Sequence, residues 1–291
     1  MTTGQAIAMD RLTVTRPAPV PIERLVLGRD VDEVIATLPR IFNLCRAAQE
    51  TALRLAFDRP ASMDGIAEEI LREGMMRLCV MWPQMLGLTP ARPDMKAPRR
   101  ALFGDVGAFP GTVAAFQAFL ASDQGVAPVL RAINNRFAPG VAAVSGLSDV
   151  TDATVMDAGA VENSPALRHA DHPVLTHIAQ THGRAPLWRA VARVLDVQSA
   201  LLGTVPAMRM GADGVAIVPA ARGVYAVRAR TDGGRVTAFS RITPTDHMLA
   251  TGGAIDQTLD SLSNGQRGLV PLALALMDPC VPLTIKGLED A

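Results

Sequence analysis

The sequence predicts a mainly helical α+β protein in which a helical bundle packs against a small antiparallel hairpin sheet. Two patterns carry this expectation. Apolar residues recur at steps of three and four over 31–86 and again over 186–203, which is the spacing of one helical face. Over 215–242 the period falls to two, with Thr231-Asp232-Gly233-Gly234 marking a hairpin turn. A chain of 291 residues can bury a full core, and 1–291 is read as a single domain.

Each element follows from its residues. The stretch "RLTVTRPAPVPIERLVL" (11–27) has short β-branched runs broken by prolines and reads as one or two edge strands. From Asp30 a helical stripe runs through Val31, Val34, Ile35, Leu38 and Ile41, then Leu44, Cys45, Ala48, Ala52 and Leu55. Pro39 is expected to break it in two, the second helix running from about Phe42 to Phe57. A long helix is expected from Ser62 or Asp64 to Leu86, on the stripe Ile66, Ile70, Leu71, Met75, Leu78, Cys79, Trp82 and Leu86. Its Glu68–Arg72 and Glu73–Arg77 pairs are acid-before-base at i,i+4, as on a solvated face.

Residues 89–111 are rich in proline and glycine and read as loop. Two short helices are expected at 112–122 and 127–137. Residues 138–165 are small and weakly patterned, either a mobile loop or a stretch draped on the surface. A helix spans 186–203, with Pro186 at its start and Gly203 at its end. After the hairpin, two more helices are expected at about 253–263 and 267–277.

Composition excludes several classes. Lys plus Arg (28) equals Asp plus Glu (28), and beyond the local pair Arg99–Arg100 there is no basic stripe, so no nucleic-acid partner is expected. The longest apolar runs fall far short of a membrane span, and the N-terminus lacks the pattern of a secretory signal. Three cysteines, at 45, 79 and 280, do not make a disulfide framework, and a reducing cytoplasm is the expected location.

Four of the five histidines fall in "HADHPVLTHIAQTH", at 169, 172, 177 and 182. Their spacing fits no compact metal pattern, and the stretch reads as a polar helix start or an exposed loop. No nucleotide-binding, nucleophile-elbow or zinc-protease motif is present, and "GDVGAFPG" (104–111) lacks a phosphate-binding lysine. By residue type alone, Cys45 and Cys79 lie on apolar stripes and read as core. Cys280, presented by Asp278-Pro279 just past a helix, reads by residue type first as a packed thiol, with a functional role as the lesser alternative.

The two ends are more informative together. "PRIFNLCRAAQETA" (39–52) resembles the N-terminal metal-binding motif of nickel–iron hydrogenase large subunits, Arg-x-Cys-Gly-x-Cys followed by histidine. Arg40 and Cys45 match, while Phe42, Asn43 and Gln49 replace the first cysteine, the glycine and the histidine. "LALALMDPCVPLTIK" (272–286) resembles that family's C-terminal motif, Asp-Pro-Cys-x-x-Cys-x-x-His. Asp278, Pro279 and Cys280 match, with Leu283 and Lys286 at the second cysteine and the histidine.

Between them, "VPAARGVYAV" (218–227) is similar to the family's Glu-Ala-Pro-Arg-Gly segment, keeping Arg222 and Gly223 with Pro219 in place of the acid. "RITPTDHMLATGGAIDQTL" (241–259) resembles its Pro-Thr-x-Trp-Asn segment, with His247 for tryptophan, and "ILREGMMRLCVMWPQMLGL" (70–88) its long central helix. All five segments occur in the family's order.

The departures define what the resemblance implies. The family's nickel takes four thiolates, and each cysteine pair is halved here, so neither nickel nor hydrogen turnover is expected and the chain is read as a non-enzyme. Lys286 also removes the histidine at which the family's maturation protease cuts. The pattern is similar to the cut-down hydrogenase accessory proteins of the HupK/HoxV type. That resemblance implies a scaffold or chaperone for the iron carrying carbon monoxide and cyanide, held transiently by Cys45 and Cys280. Arg222 and Thr245 are then the implied donors to the diatomic ligands. Hydrogenase maturation factors and the large-subunit precursor are the implied partners.

Two other readings stay open. One is a metal-free interaction protein that mimics the large subunit to bind or shield maturation partners. The other is a redox enzyme on the same fold with an unrecognised cofactor. The scaffold reading requires Cys45 and Cys280 to meet in one cavity beside an arginine.

Overall fold

A computed structural model describes residues 11–288 except Pro17, Pro19 and Asn43. Strand β1 (Thr13–Thr15) pairs antiparallel with the last strand, Val14 opposite Ile285. The second half of the expected edge-strand region is a short helix, α1 (Ile22–Val26), because Ile22 and Val26 bury one helical face. Helix α2 (Val31–Ile41) is capped by Asp30, whose carboxylate accepts from Asp32 N and Glu33 N. Pro39 does not break it: it lies in the last turn, and the helix runs two residues further. The break comes at Cys45, which takes a left-handed conformation (φ 55°) and starts α3 (Arg46–Ala56).

Helix α4 (Asp64–Met76) continues through a π-helical turn (Arg77–Met81) into α5 (Trp82–Met85), so the long helix expected over 64–86 is continuous. The expected loop at 89–111 is not loop throughout, since Pro98 opens α6 (Pro98–Phe103), which buries Leu102 and Phe103. Helices α7 (Val113–Ala121) and α8 (Ala127–Arg136) lie where expected. The 138–165 stretch holds no helix or strand until Pro165 opens a 3-10 turn (Pro165–His169), and it is draped, tied by isolated bridges Val144–Arg184 and Asp149–Glu162.

Helix α9 (Pro173–His182) occupies the histidine-rich stretch, with His172 as its N-cap. Helix α10 (Pro186–Leu202) is buried on all sides over 186–197 and packs against α4, α6, α8 and α9. At Gly74 of α4 an added Cβ would lie 2.1 Å from Val197 Cγ2 of α10, so the two helices cross at glycine contact.

The sheet has the order β2-β3-β4-β5, all antiparallel: β2 (Arg209–Met210), β3 (Val215–Ala220), β4 (Gly223–Asp232) and β5 (Arg235–Ile242). Gly233 and Gly234 both have positive φ, as a two-residue hairpin turn requires. Helix α11 (Pro244–Leu249) starts at a capping box between Thr243 and Asp246. Helices α12 (Ala254–Asp260) and α13 (Val270–Met277) follow, the second preceded by a 3-10 turn at Asn264–Leu269. Strand β6 (Thr284–Lys286), not expected from the sequence, closes the chain against β1.

Two large cores flank the site. One lies among α4–α10 and α13, and includes Trp82, Leu130, Val191 and Leu276. The other lies between α1–α4 and the sheet, and includes Leu38, Ala52, Ile70, Val218, Tyr225 and Cys45, with Cys280 packed against it. Cys79 is in the first core, where burial pushes its thiol up to about 11.

Candidate functional site

Four separated pieces of chain converge beside the second core. The α2–α3 break supplies Cys45, and the tight β3–β4 turn supplies Arg222. The first turn of α11 supplies Thr245, and the segment after α13 supplies Asp278 and Cys280. Asp278 ends α13 in a left-handed conformation (φ 58°), and Pro279 then sends the chain towards Cys45.

Arg222 is the hub. Its side chain is 0% exposed. Its Nη1 donates to Cys45 Sγ at 3.2 Å, and its Nε donates to the Asp278 carbonyl oxygen at 3.0 Å. Its Nη2 reaches Asp278 Oδ1 at 3.2 Å and Glu73 Oε2 at 3.4 Å. The Asp278 carboxylate also receives Arg77 at 2.5 Å and Arg193 at 3.2 Å, and Glu73 receives Arg77 at 3.2 Å. Three guanidiniums against two carboxylates leave net positive charge behind the sulfurs, which favours a thiolate there.

The two thiols are coupled. Cys45 donates a hydrogen bond to the Cys280 sulfur, and this bond with burial holds the Cys45 thiol well above its usual range. The same hydrogen bond lowers Cys280 to about 7; burial opposes it, while Arg222 and the Thr245 hydroxyl assist. Thr245 Oγ1 also accepts from the Cys280 backbone N–H at 2.9 Å, fixing the loop that carries the sulfur. The pair is therefore unequal: Cys280 is the more acidic sulfur and Cys45 the one that keeps its proton longer.

Both sulfurs open onto one cavity of about 870 Å³, whose wall includes Gln49, Tyr225 and Thr245. Arg222 lies behind the sulfurs rather than in that wall. Gln49 donates from Nε2 to the carbonyls of Phe42 (2.8 Å) and Leu44 (2.6 Å), and its buried Oε1 has no partner among the described residues. Glu69 of α4 accepts from Ala47 N at 2.8 Å and so caps the start of α3 beside Cys45; burial raises its carboxyl.

Cys45, Cys280, Arg222 and Thr245 are thus brought together. The histidine stretch is elsewhere: His169 lies 3.3 Å from Asp196 Oδ1, and His172 caps α9. Among the described residues no group of three or more His, Cys, Asp or Glu side chains is arranged to hold a metal. Glu73, Arg77 and Arg193 are the residues that sequence reasoning missed. The Glu73–Arg77 spacing was visible, but the pair is not on a solvated face; both side chains are largely buried and turned to Asp278 and Arg222.

No protein-family model matches the chain. It is 43% identical over 296 residues to the hydrogenase expression/formation protein HupK of Rhodobacter capsulatus, covering 99% of this chain and 96% of that protein. It is 26% identical over 315 residues to HupK of Azotobacter vinelandii, covering 93% and 92%. Its fold is similar to that of the reduced Ni-Fe-Se hydrogenase of D. vulgaris Hildenborough, with a TM-score of 0.53 at 14% identity over 91% of this chain and 92% of that one. The as-isolated oxidised form gives 0.51 at 13% identity over 90% and 91%. At these identities the structural likeness is one of fold, and it agrees with the mainly helical α+β architecture with a small antiparallel sheet.

Proposed function

The chain belongs to the HupK family of hydrogenase expression/formation proteins, and from that premise we propose that it is a non-catalytic scaffold for the iron–carbonyl–cyanide fragment. The fragment is cargo, held before transfer to the hydrogenase large subunit. The observation that carries this is that Cys45 and Cys280 line one cavity, with the Arg222 guanidinium 3.2 Å from Cys45 Sγ.

The chemistry follows from the donors. Iron with strong-field diatomic ligands favours soft donors, and thiolate is the softest this chain offers. Cys280 is the first sulfur to ionise, and cargo binding displaces the proton that Cys45 now shares with it. Positive charge from Arg222, Arg77 and Arg193 offsets the second thiolate. Thr245, in the cavity wall, can turn the hydroxyl proton it now gives to the Cys280 sulfur towards a cyanide nitrogen once the metal takes that sulfur. Two sulfurs rather than four give a grip weak enough for hand-over, and they are too few for nickel.

A metal-free interaction role is the second reading, favoured by the suppressed acidity of Cys45. Infrared spectroscopy on the full chain co-produced with the maturation enzymes separates the two. Carbonyl and cyanide stretching bands are expected, and they should disappear in Cys45→Ser and in Cys280→Ser. A spectrum without those bands from protein that still supports hydrogenase maturation would discard the scaffold reading.

A further inference from the structure

We propose that the cavity in front of the sulfurs is a docking groove for an extended, acidic peptide segment of a partner protein, paired through its side-chain carboxylates with Arg241 and Arg24. Size is the first argument. An iron with a few diatomic ligands needs roughly 100–200 Å³, taking about 30 Å³ for each water-sized group. The cavity holds about 870 Å³, so most of it is left for something larger.

The lining says what that is. Ile22, Phe42, Leu44, Phe239, Leu249 and Val281 make the wall apolar. At the rim Val20, Ile41 and Leu44 are 51%, 58% and 40% exposed, an unusual grouping of large aliphatics in water. Within this wall the Arg241 guanidinium stacks 4.3 Å from the Phe42 ring centroid. Its single polar contact is the Tyr225 hydroxyl at 3.4 Å, and it makes no ion pair among the described residues. Arg24 in the last turn of α1 also lines the cavity and makes no ion pair among the described residues.

Of the acids in the wall, Asp246 is spent on the Thr243 cap, which leaves Glu23 against the two free guanidiniums. A stacked, unpaired arginine in apolar surroundings is a carboxylate receptor. With the exposed Arg24 as a second cation at a separate place in the wall, side-chain carboxylates are favoured over a single chain terminus.

Extended geometry comes from the sheet. Strand β5 is its edge, and Phe239, Arg241 and Ile242 of that strand line the cavity. Arg29 and Gly28 cover the outer edge of β5 at Val236, and beyond it no described backbone group bonds to that edge. A peptide laid there can add main-chain hydrogen bonds while its alternate side chains enter the groove.

The test uses the full chain and a fluorescein-labelled hexapeptide of alternating Leu and Glu with an amidated end, read by fluorescence anisotropy. Saturable binding is expected, weakened about tenfold by Arg241→Gln, as for loss of one charge-assisted hydrogen bond. The Leu/Gln peptide should bind at least tenfold more weakly and ignore Arg241→Gln. Arg241→Lys should keep the preference for Glu over Gln, which holds the test open if the glutamine variant does not fold. Chain produced without the maturation enzymes, which cannot carry the iron fragment, should bind the peptide as the co-produced chain does, so failure of the iron reading and failure of this one are told apart. Absence of saturable binding, equal affinity for the Glu and Gln peptides, or a free-acid Leu/Gln peptide binding as tightly as the Leu/Glu amide would each overturn the proposal.

Discussion

Cys45 and Asp278 share an uncommon backbone: both are non-glycine residues in the left-handed region, with φ of 55° and 58°. Each conformation costs roughly 1–2 kcal/mol, and each directs its side chain to Arg222. Cys45 and Cys280 were legible because each stands in a recognisable motif, but the proton between them was not, since it depends on contact. A direct consequence is that iodoacetamide should modify Cys280 with a midpoint near pH 7, slow below it where the thiol is neutral and fast above it. Cys45, pushed the other way, should stay slow through the same range, and Cys79, raised to about 11, should stay silent. Peptide mass mapping across pH 5–9, a range of about four units around the Cys280 midpoint, checks the order. Preferential modification of Cys45 would show that the hydrogen bond runs in the opposite direction.

At the scale of elements, periodicity found most helices because their faces are one-sided. It failed where the period carries no information. Helix α6 is only one and a half turns long and sits among prolines, while β6 is three residues whose partner is at the other end of the chain. Pro39 reads as a break because a proline cannot donate to the carbonyl four residues back; its effect shows as an end to α2 two residues later, at Ile41, and not as a break at Pro39 itself. Gly74 makes the opposite point. In an exposed helix Gly→Ala is stabilising, but here a Cβ would overlap Val197 one residue from Glu73. Gly74→Ala is therefore expected to cost about 1–3 kcal/mol, seen as a lowered denaturant midpoint. A midpoint that rises would mean α4 and α10 do not cross so closely.

At the scale of the whole molecule, the site is where four stretches of chain meet, and Arg222 ties its own to two of the others and to α4. It joins α4 through Glu73, the α2–α3 break through Cys45 and the end of α13 through Asp278. Removing one member of such a buried charge set leaves the others uncompensated, at about 3–5 kcal/mol. Arg222→Met should therefore lower global stability by about 3 kcal/mol in urea titration, and Arg222→Lys, lacking the planar fork, should recover only part of it. A loss below about 0.5 kcal/mol, the ordinary range for surface changes, would show that the network is not structural. Arg193 escaped sequence reading because α10 is apolar on nearly every side, and nothing local marks which arginine of a buried helix faces an acid 85 positions away.

The sulfurs lie close together in space and far apart along the chain. An atom bound by both would act as a clasp, turning an open string into a ring of more than roughly 200 residues. Closing so long a ring removes about 5 kcal/mol of unfolded-chain freedom in the loop-entropy estimate. A loaded carrier would then be a tougher molecule than an empty one, and surrendering its burden would return it to a looser form. The recipient could distinguish full from spent copies by rigidity alone.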